Sequence, residues 1–175
     1  MTTQNAIDYH QIVNGFASKN WRERCEVSNK LKAAGKKGLS AAKQAFNHGN
    51  WRVRVHAVDF MDHHANDTCV RSMIKALKDP NERVRRSAIH SFSCDRCKPA
   101  PLQTDVMPYL LDVVANDRSV KVRRVAMGLL SGKQPDARAI PVIEQVIATT
   151  SDKKLLRYAR EALCRHRGER GSCGC

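Results

Sequence analysis

At 175 residues the chain is long enough for one cored domain or a short array of repeats, and its 42% apolar share with only 5% aromatics fits aliphatic helices rather than aromatic-rich sheets. Against 31 Lys and Arg stand 17 Asp and Glu, a formal net charge of +14 that favours acidic partners: nucleic acid, an anionic membrane surface or an acidic protein segment. No stretch approaches the roughly 18 consecutive apolar residues of a membrane span, so a membrane-embedded transporter or channel of helical type is excluded.

The opening M-T-T-Q-N-A-I-D-Y-H-Q has no basic region followed by an apolar run, so no secretion signal is expected and the cytoplasm is the expected compartment. Seven cysteines, an odd number scattered over helical pattern and a short tail, read as mostly reduced thiols rather than a secreted disulfide framework.

The first element with a signature is N-W-R-E-R-C from Asn20, and thirty residues on Asn50 opens N-W-R-V-R-V. Related stretches follow: R-V-R-R-S-A over Arg83 to Ala88, K-V-R-R-V-A over Lys121 to Ala126, and a weaker K-L-L-R-Y-A over Lys154 to Ala159. With Val53, Val84, Val122 and Leu155 taken as equivalent, the spacings are 31, 38 and 33, the register of a stacked-repeat architecture. Each copy begins after a capping or turn residue: Asn20, Asn50, Asp79-Pro80-Asn81, Asn116-Asp117 and Ser151-Asp152, with Pro80 suited to a first helical turn. Upstream of the copies lie second helical patterns, among them V-M-P-Y-L-L-D-V-V-A from Val106 and I-P-V-I-E-Q-V-I-A from Ile140. The chain therefore reads as all-α: ten helices in five hairpins, approximately 1–35, 36–65, 66–98, 103–133 and 137–168, one repeat domain over 1–168 with a disordered tail at 169–175.

On Pro108, Asp117, Val122, Arg123 and Ala126 in the fourth hairpin, and Asp79, Val84, Arg85 and Ala88 in the third, the chain resembles the HEAT-repeat family in its short bacterial, PBS-lyase-type form. The resemblance covers roughly residues 5–166 and implies an α-solenoid whose second helices line the inner, concave surface. It departs at Val27, where Ala is usual, and at Leu156, where Arg is usual. Di-iron hydroxylases resembling this fold use paired His-Glu dipeptides, which this chain lacks, and the working residues of bilin lyases and alkylated-base DNA glycosylases find no match in it. G-x-S-x-G, a G-K-[ST] loop and H-E-x-x-H are also missing, so no catalytic residue is assigned and a non-enzyme is expected.

Arg54, Arg85 and Arg123 fall at the edge of the apolar seam, and Asp79 and Asp117 stand six residues before Arg85 and Arg123, so a ladder of Arg–Asp bonds within or between repeats is expected. The column one or two residues earlier points away from the seam and is basic in every copy: Arg22, Arg52, Arg83, Lys121 and Lys154, with Arg86, Arg124 and Arg157 beside the last three. Such a stripe fits an acidic protein segment, with nucleic-acid phosphates as the alternative and plain surface solubility as the bland reading. Trp21 and Trp51 read either as base-stacking platforms or as large caps of the helix starts.

One segment stands outside the repeat. In I-H-S-F-S-C-D-R-C-K-P-A-P, His90 and Cys94 are four residues apart and Cys97 completes C-x-x-C, three soft ligands that could begin a zinc site. Cys69 is the expected fourth ligand, with His63 and His64 as looser options. Inert thiols and a redox- or metal-responsive regulator are the competing readings. The tail cysteines Cys173 and Cys175 are a further chelating or disulfide pair.

Overall fold

The computed structural model describes residues 8–169, so the tail from 170 on, with Cys173 and Cys175, lies outside the described residues. Ten helices follow one another. They are α1 (Tyr9–Ile12, continued by a 3-10 turn at Val13–Ala17), α2 (Trp21–Ala33), α3 (Lys36–Ala45), α4 (Trp51–His64), α5 (Val70–Ala76), α6 (Glu82–Ser93), α7 (Met107–Asn116), α8 (Val120–Ser131), α9 (Ala139–Thr149) and α10 (Lys153–Arg167). Among the described residues there is no strand, and no helix is long and apolar enough to cross a membrane.

The even-numbered helices start where the capping side chains place them. Asn20, Asn50 and Asn81 each accept the N–H two residues on, from Arg22, Arg52 and Arg83, at 3.0, 2.9 and 2.9 Å. Ser119 caps α8 through the N–H of Lys121 and Asp152 caps α10 through that of Leu155. Two expectations need correction here. The cap of α8 is Ser119 rather than Asn116 or Asp117, and Pro80 precedes the cap of α6 instead of entering its first turn.

Each odd helix packs on the even helix after it, and the even helices α4, α6, α8 and α10 pack on one another in order. The seam is made by the repeat itself. Val53 and Ala57, Val84 and Ala88, Val122 and Ala126, and Leu155 and Ala159 are aliphatic–alanine pairs four residues apart, all essentially inaccessible to solvent. The small alanine lets neighbouring backbones approach. The first copy places the exposed Glu23 where the others bury an aliphatic residue. Between α2 and α3 the approach is closer still: a Cβ on Gly38 would lie 1.9 Å from the Leu31 carbonyl oxygen.

Arginine and aspartate lock successive repeats. The Nη1 of Arg54 donates to the His48 and Gly49 carbonyls of its own turn, while Nε and Nη2 clasp Asp79 of the next turn at 2.7 and 3.0 Å. Arg85 repeats this with the Asp79 and Pro80 carbonyls and with Asp117, again at 2.7 and 3.0 Å. Asp79 and Asp117 also accept the N–H of the next cap residue, Asn81 and Ser119. The rungs thus run between repeats. The third departs from expectation: Arg123 donates to the Val114 carbonyl, and Arg124 makes the two-pronged contact with Asp152. In the last turn Thr150 holds the place of Asp79 and Asp117, two residues ahead of the cap, and the carboxylate sits at the cap itself, where the arginine one position further along reaches it.

At the far end the buried His166 accepts the Asp136 N–H on Nδ1 at 2.9 Å and meets the Leu130 carbonyl through Nε2 at 3.1 Å, joining α10, α8 and the turn before α9. The tautomer protonated on Nε2 satisfies both contacts.

Candidate functional site

Caps and seam together fix where the basic column points. With the aliphatic–alanine pairs turned inward, Arg22, Arg83, Lys121 and Lys154 are exposed and Arg52 is half-buried. Neighbouring copies meet at aromatic rings. The Trp51 ring has the Arg52 guanidinium 4.9 Å and that of Arg83 5.3 Å from its centroid, so it carries cations from two successive repeats. Further along, Arg86, Lys121, Arg124 and Lys154 line one cleft of about 320 Å³ with Val125, Gly128 and Tyr158, and Arg157 stacks on Tyr158 at 5.2 Å. Arg22 lies over Trp21 at 5.8 Å, and that ring is 62% exposed.

Not every cation in the column is free to act outward. Arg124 is committed to Asp152, whose carboxyl is drawn down to about 2, first by that guanidinium and then by the Leu155 N–H. Lys121 stands 3.9 Å from Glu82 and Arg157 is 3.7 Å from Glu161. Among the described residues no carboxylate pairs with Arg22, Arg52, Arg83, Arg86 or Lys154. Sequence reasoning treated Arg124 as equal to its neighbours because the shifted carboxylate of the last turn is visible only in three dimensions.

The structure brings His90, Cys94 and Cys97 together at the end of α6, their ligand atoms all within 4.8 Å of one another. Cys94 is the C-cap of the helix, its N–H bonded to the His90 carbonyl at 2.8 Å. The chain then turns so that the Cys97 sulfur comes to 3.2 Å from that of Cys94 and 3.7 Å from the His90 Nε2. Cys69 is not part of this group. It is buried at the start of α5 beside Thr68 and Asn66, because the 3-10 turn Asp67–Cys69 directs it into the hairpin core.

The residue that sequence reasoning missed is Asp62. It projects from α4 with Oδ2 3.3 Å from the His90 Nε2, while its Oδ1 is buried without a hydrogen-bond partner. Contact with Cys94, burial and the Asp62 carboxylate together push the Cys97 thiol up to about 11. His63 meets the Cys97 carbonyl at 3.0 Å and the buried Lys98 donates to the Cys94 carbonyl at 2.7 Å. Burial draws the Lys98 ammonium below the usual lysine range, partly offset by Asp62 and the thiols. His64 packs its ring on Phe60, 4.3 Å between centroids, and is held below the ordinary histidine value chiefly by burial.

No protein-family profile and no curated protein matches the sequence. Solved structures do. An engineered protein from the Northeast Structural Genomics Consortium superposes with a TM-score of 0.52 at 14% identity, covering 92% of this chain and 80% of that one. A computationally designed armadillo repeat protein for modular peptide recognition gives 0.48 at 13% identity over 90% and 82% of the two chains. A second designed armadillo repeat protein gives 0.49 at 14% over 90% and 82%. At such identities likeness extends to architecture alone, and the ten stacked helices together with the first of these superpositions make the chain an all-α helical-repeat solenoid.

Proposed function

We propose that this solenoid is a non-enzymatic scaffold of the HEAT-repeat kind that holds an acidic segment of a partner protein along its row of even-numbered helices. The observation that carries the reading is the cleft shared by Arg86, Lys121, Arg124 and Lys154, continued by the Arg52–Trp51–Arg83 group: cations from four successive even helices on one side, with apolar and aromatic surface between them. The cations among them without a carboxylate partner, Arg52, Arg83, Arg86 and Lys154, steer an acidic chain, and the ring surfaces give its apolar side chains somewhere to pack. Curvature supports the same choice of face. From α4 onward the even helices pack closely in order, whereas α3 with α5 and α5 with α7 make little or no contact, which supports a bend toward the even row in the middle of the stack, although α1 packs on α3 and α7 on α9. One repeat domain over 1–168, divided at the hairpins read from the sequence, and a cytoplasmic setting belong to this reading.

Nucleic acid is the second reading, favoured by the exposed Trp21 beside Arg22. It ranks lower because Trp51 is already engaged by two guanidinium groups of its own chain and is not a free stacking platform.

Anisotropy titrations with a labelled Glu/Asp-rich peptide containing Leu and Phe, and with a random-sequence DNA duplex, decide between them. The double change Arg86→Glu/Lys154→Glu is expected to weaken the peptide at least about tenfold while leaving the circular dichroism spectrum intact. Duplex affinity is expected to be weak near about 0.15 M salt. Equal peptide affinity in the variant would overturn the scaffold reading, and tight duplex binding that survives that salt would put nucleic acid first.

A further inference from the structure

We propose that Asp62, His90, Cys94 and Cys97 form a zinc site that clips the end of α4 to the end of α6 and to the loop that follows. Cys94 Sγ to Cys97 Sγ is 3.2 Å, Cys97 Sγ to His90 Nε2 is 3.7 Å, and His90 Nε2 to Asp62 Oδ2 is 3.3 Å. Zinc bonds of about 2.3 Å to sulfur and about 2.0–2.1 Å to nitrogen and oxygen, arranged tetrahedrally, require separations of about 3.8, 3.6 and 3.4 Å for these three pairs. For these three pairs side-chain shifts of about half an ångström suffice, while the Asp62 carboxylate, which lies within 3.3 Å of His90 but is not within 4.8 Å of all three other donors, has to swing further toward the sulfurs to complete the set.

A second, independent observation is the buried Asp62 Oδ1, which has no hydrogen-bond partner. An ionised carboxylate in that position is costly unless a cation answers it.

The surroundings suit a closed structural site. The His63 ring and the Lys98 ammonium hold the carbonyls of Cys97 and Cys94, fixing the backbone from which both sulfurs project. Binding replaces the thiol protons: two Cys–SH groups and one Zn²⁺ give a dithiolate complex and two released protons, with no change of oxidation state. Two thiolates, a neutral imidazole and a carboxylate around Zn²⁺ leave one negative charge, and Lys98 supplies the positive one. Sulfur donors select zinc over magnesium or calcium. Ligation would anchor residues 94–106, the segment joining α6 to α7, whose far part is tied to the start of α5 by the Gln103 N–H on Asp67.

The test uses the full chain, reduced and stripped with a chelator, then titrated with Co²⁺ and back-titrated with Zn²⁺. The expected result is one equivalent per chain, visible bands of tetrahedral cobalt with thiolate charge transfer, and zinc-edge absorption fitting two sulfurs and two lighter donors. Cys94→Ser and Cys97→Ser are expected to abolish the spectrum, and Asp62→Asn to weaken zinc at least about tenfold. Cys69→Ser and the pair Cys173→Ser/Cys175→Ser are expected to leave the stoichiometry unchanged. Uptake below about a tenth of an equivalent by the reduced wild-type chain would overturn the proposal. So would metal that survives loss of Cys94 and Cys97, metal that disappears with the tail cysteines, or a zinc edge showing four sulfurs or none. Because the wild-type measurements stand alone, a variant that fails to fold does not blunt the test.

Discussion

At the scale of single residues, Arg54 and Arg85 each do two things with one rigid group: one nitrogen ties down the turn of its own repeat while the other two clasp the carboxylate of the next. Arg85 and Asp117 are nearly free of solvent, with side chains 5% exposed in each case, so removing one partner strands the other. Asp117→Ala is therefore expected to cost about 3–5 kcal/mol in urea unfolding. Replacing both residues with apolar ones of similar volume should recover much of that loss. A single-mutant cost under about 1 kcal/mol would mean that the rung is an exposed ion pair in solution. The arginine column and the turn aspartates were legible in the sequence because both recur. That the bonds cross between repeats, and that Arg124 replaces Arg123 in the last one, depends on the distance from carboxylate to cap and not on residue type.

Helices gave up their boundaries unevenly. The even ones begin at Asn20, Asn50 and Asn81 because a side-chain amide oxygen takes up a free N–H of the first turn, a signal that one residue carries by itself. Asn81→Ala is expected to lower stability by about 1 kcal/mol, read from the midpoint of a denaturant curve with unchanged slope, and Asn81→Ser to restore most of it. Parity between Asn81→Ala and the parent chain would show that Asp79, which accepts the Asn81 N–H, holds this turn without the cap. The candidate metal cluster was half-visible for a related reason. His90, Cys94 and Cys97 are neighbours in sequence with ligand-like spacing, whereas Asp62 is an ordinary carboxylate on another helix, brought over only by the packing of α4 on α6. Cys69 was a reasonable partner by topology alone. The 3-10 turn before α5 instead points it into the core.

For the molecule as a whole, the net charge of +14 and the even-helix row make a joint statement about stability. Successive helices stand about 8–10 Å apart, so the unpaired cations of neighbouring repeats lie about one screening length from each other near 0.15 M salt, and well inside the roughly 30 Å length at about 0.01 M. The buried Arg–Asp rungs are screened far less than the exposed column. Adding sodium chloride between those two concentrations should then relieve repulsion more than it weakens attraction. The melting temperature is expected to rise, and to rise less for Arg86→Glu/Lys154→Glu, which removes two of the unpaired cations. Chloride is the suitable anion because sulfate would strengthen burial generally and mimic the effect. A melting temperature that falls with salt in the parent chain would mean that exposed ion pairs such as Lys133–Asp95 and Arg138–Asp105 outweigh repulsion along the row. Positive charge would then be dispersed over the molecule instead of concentrated on the face that the even helices present, and an acidic segment would have no reason to prefer that face.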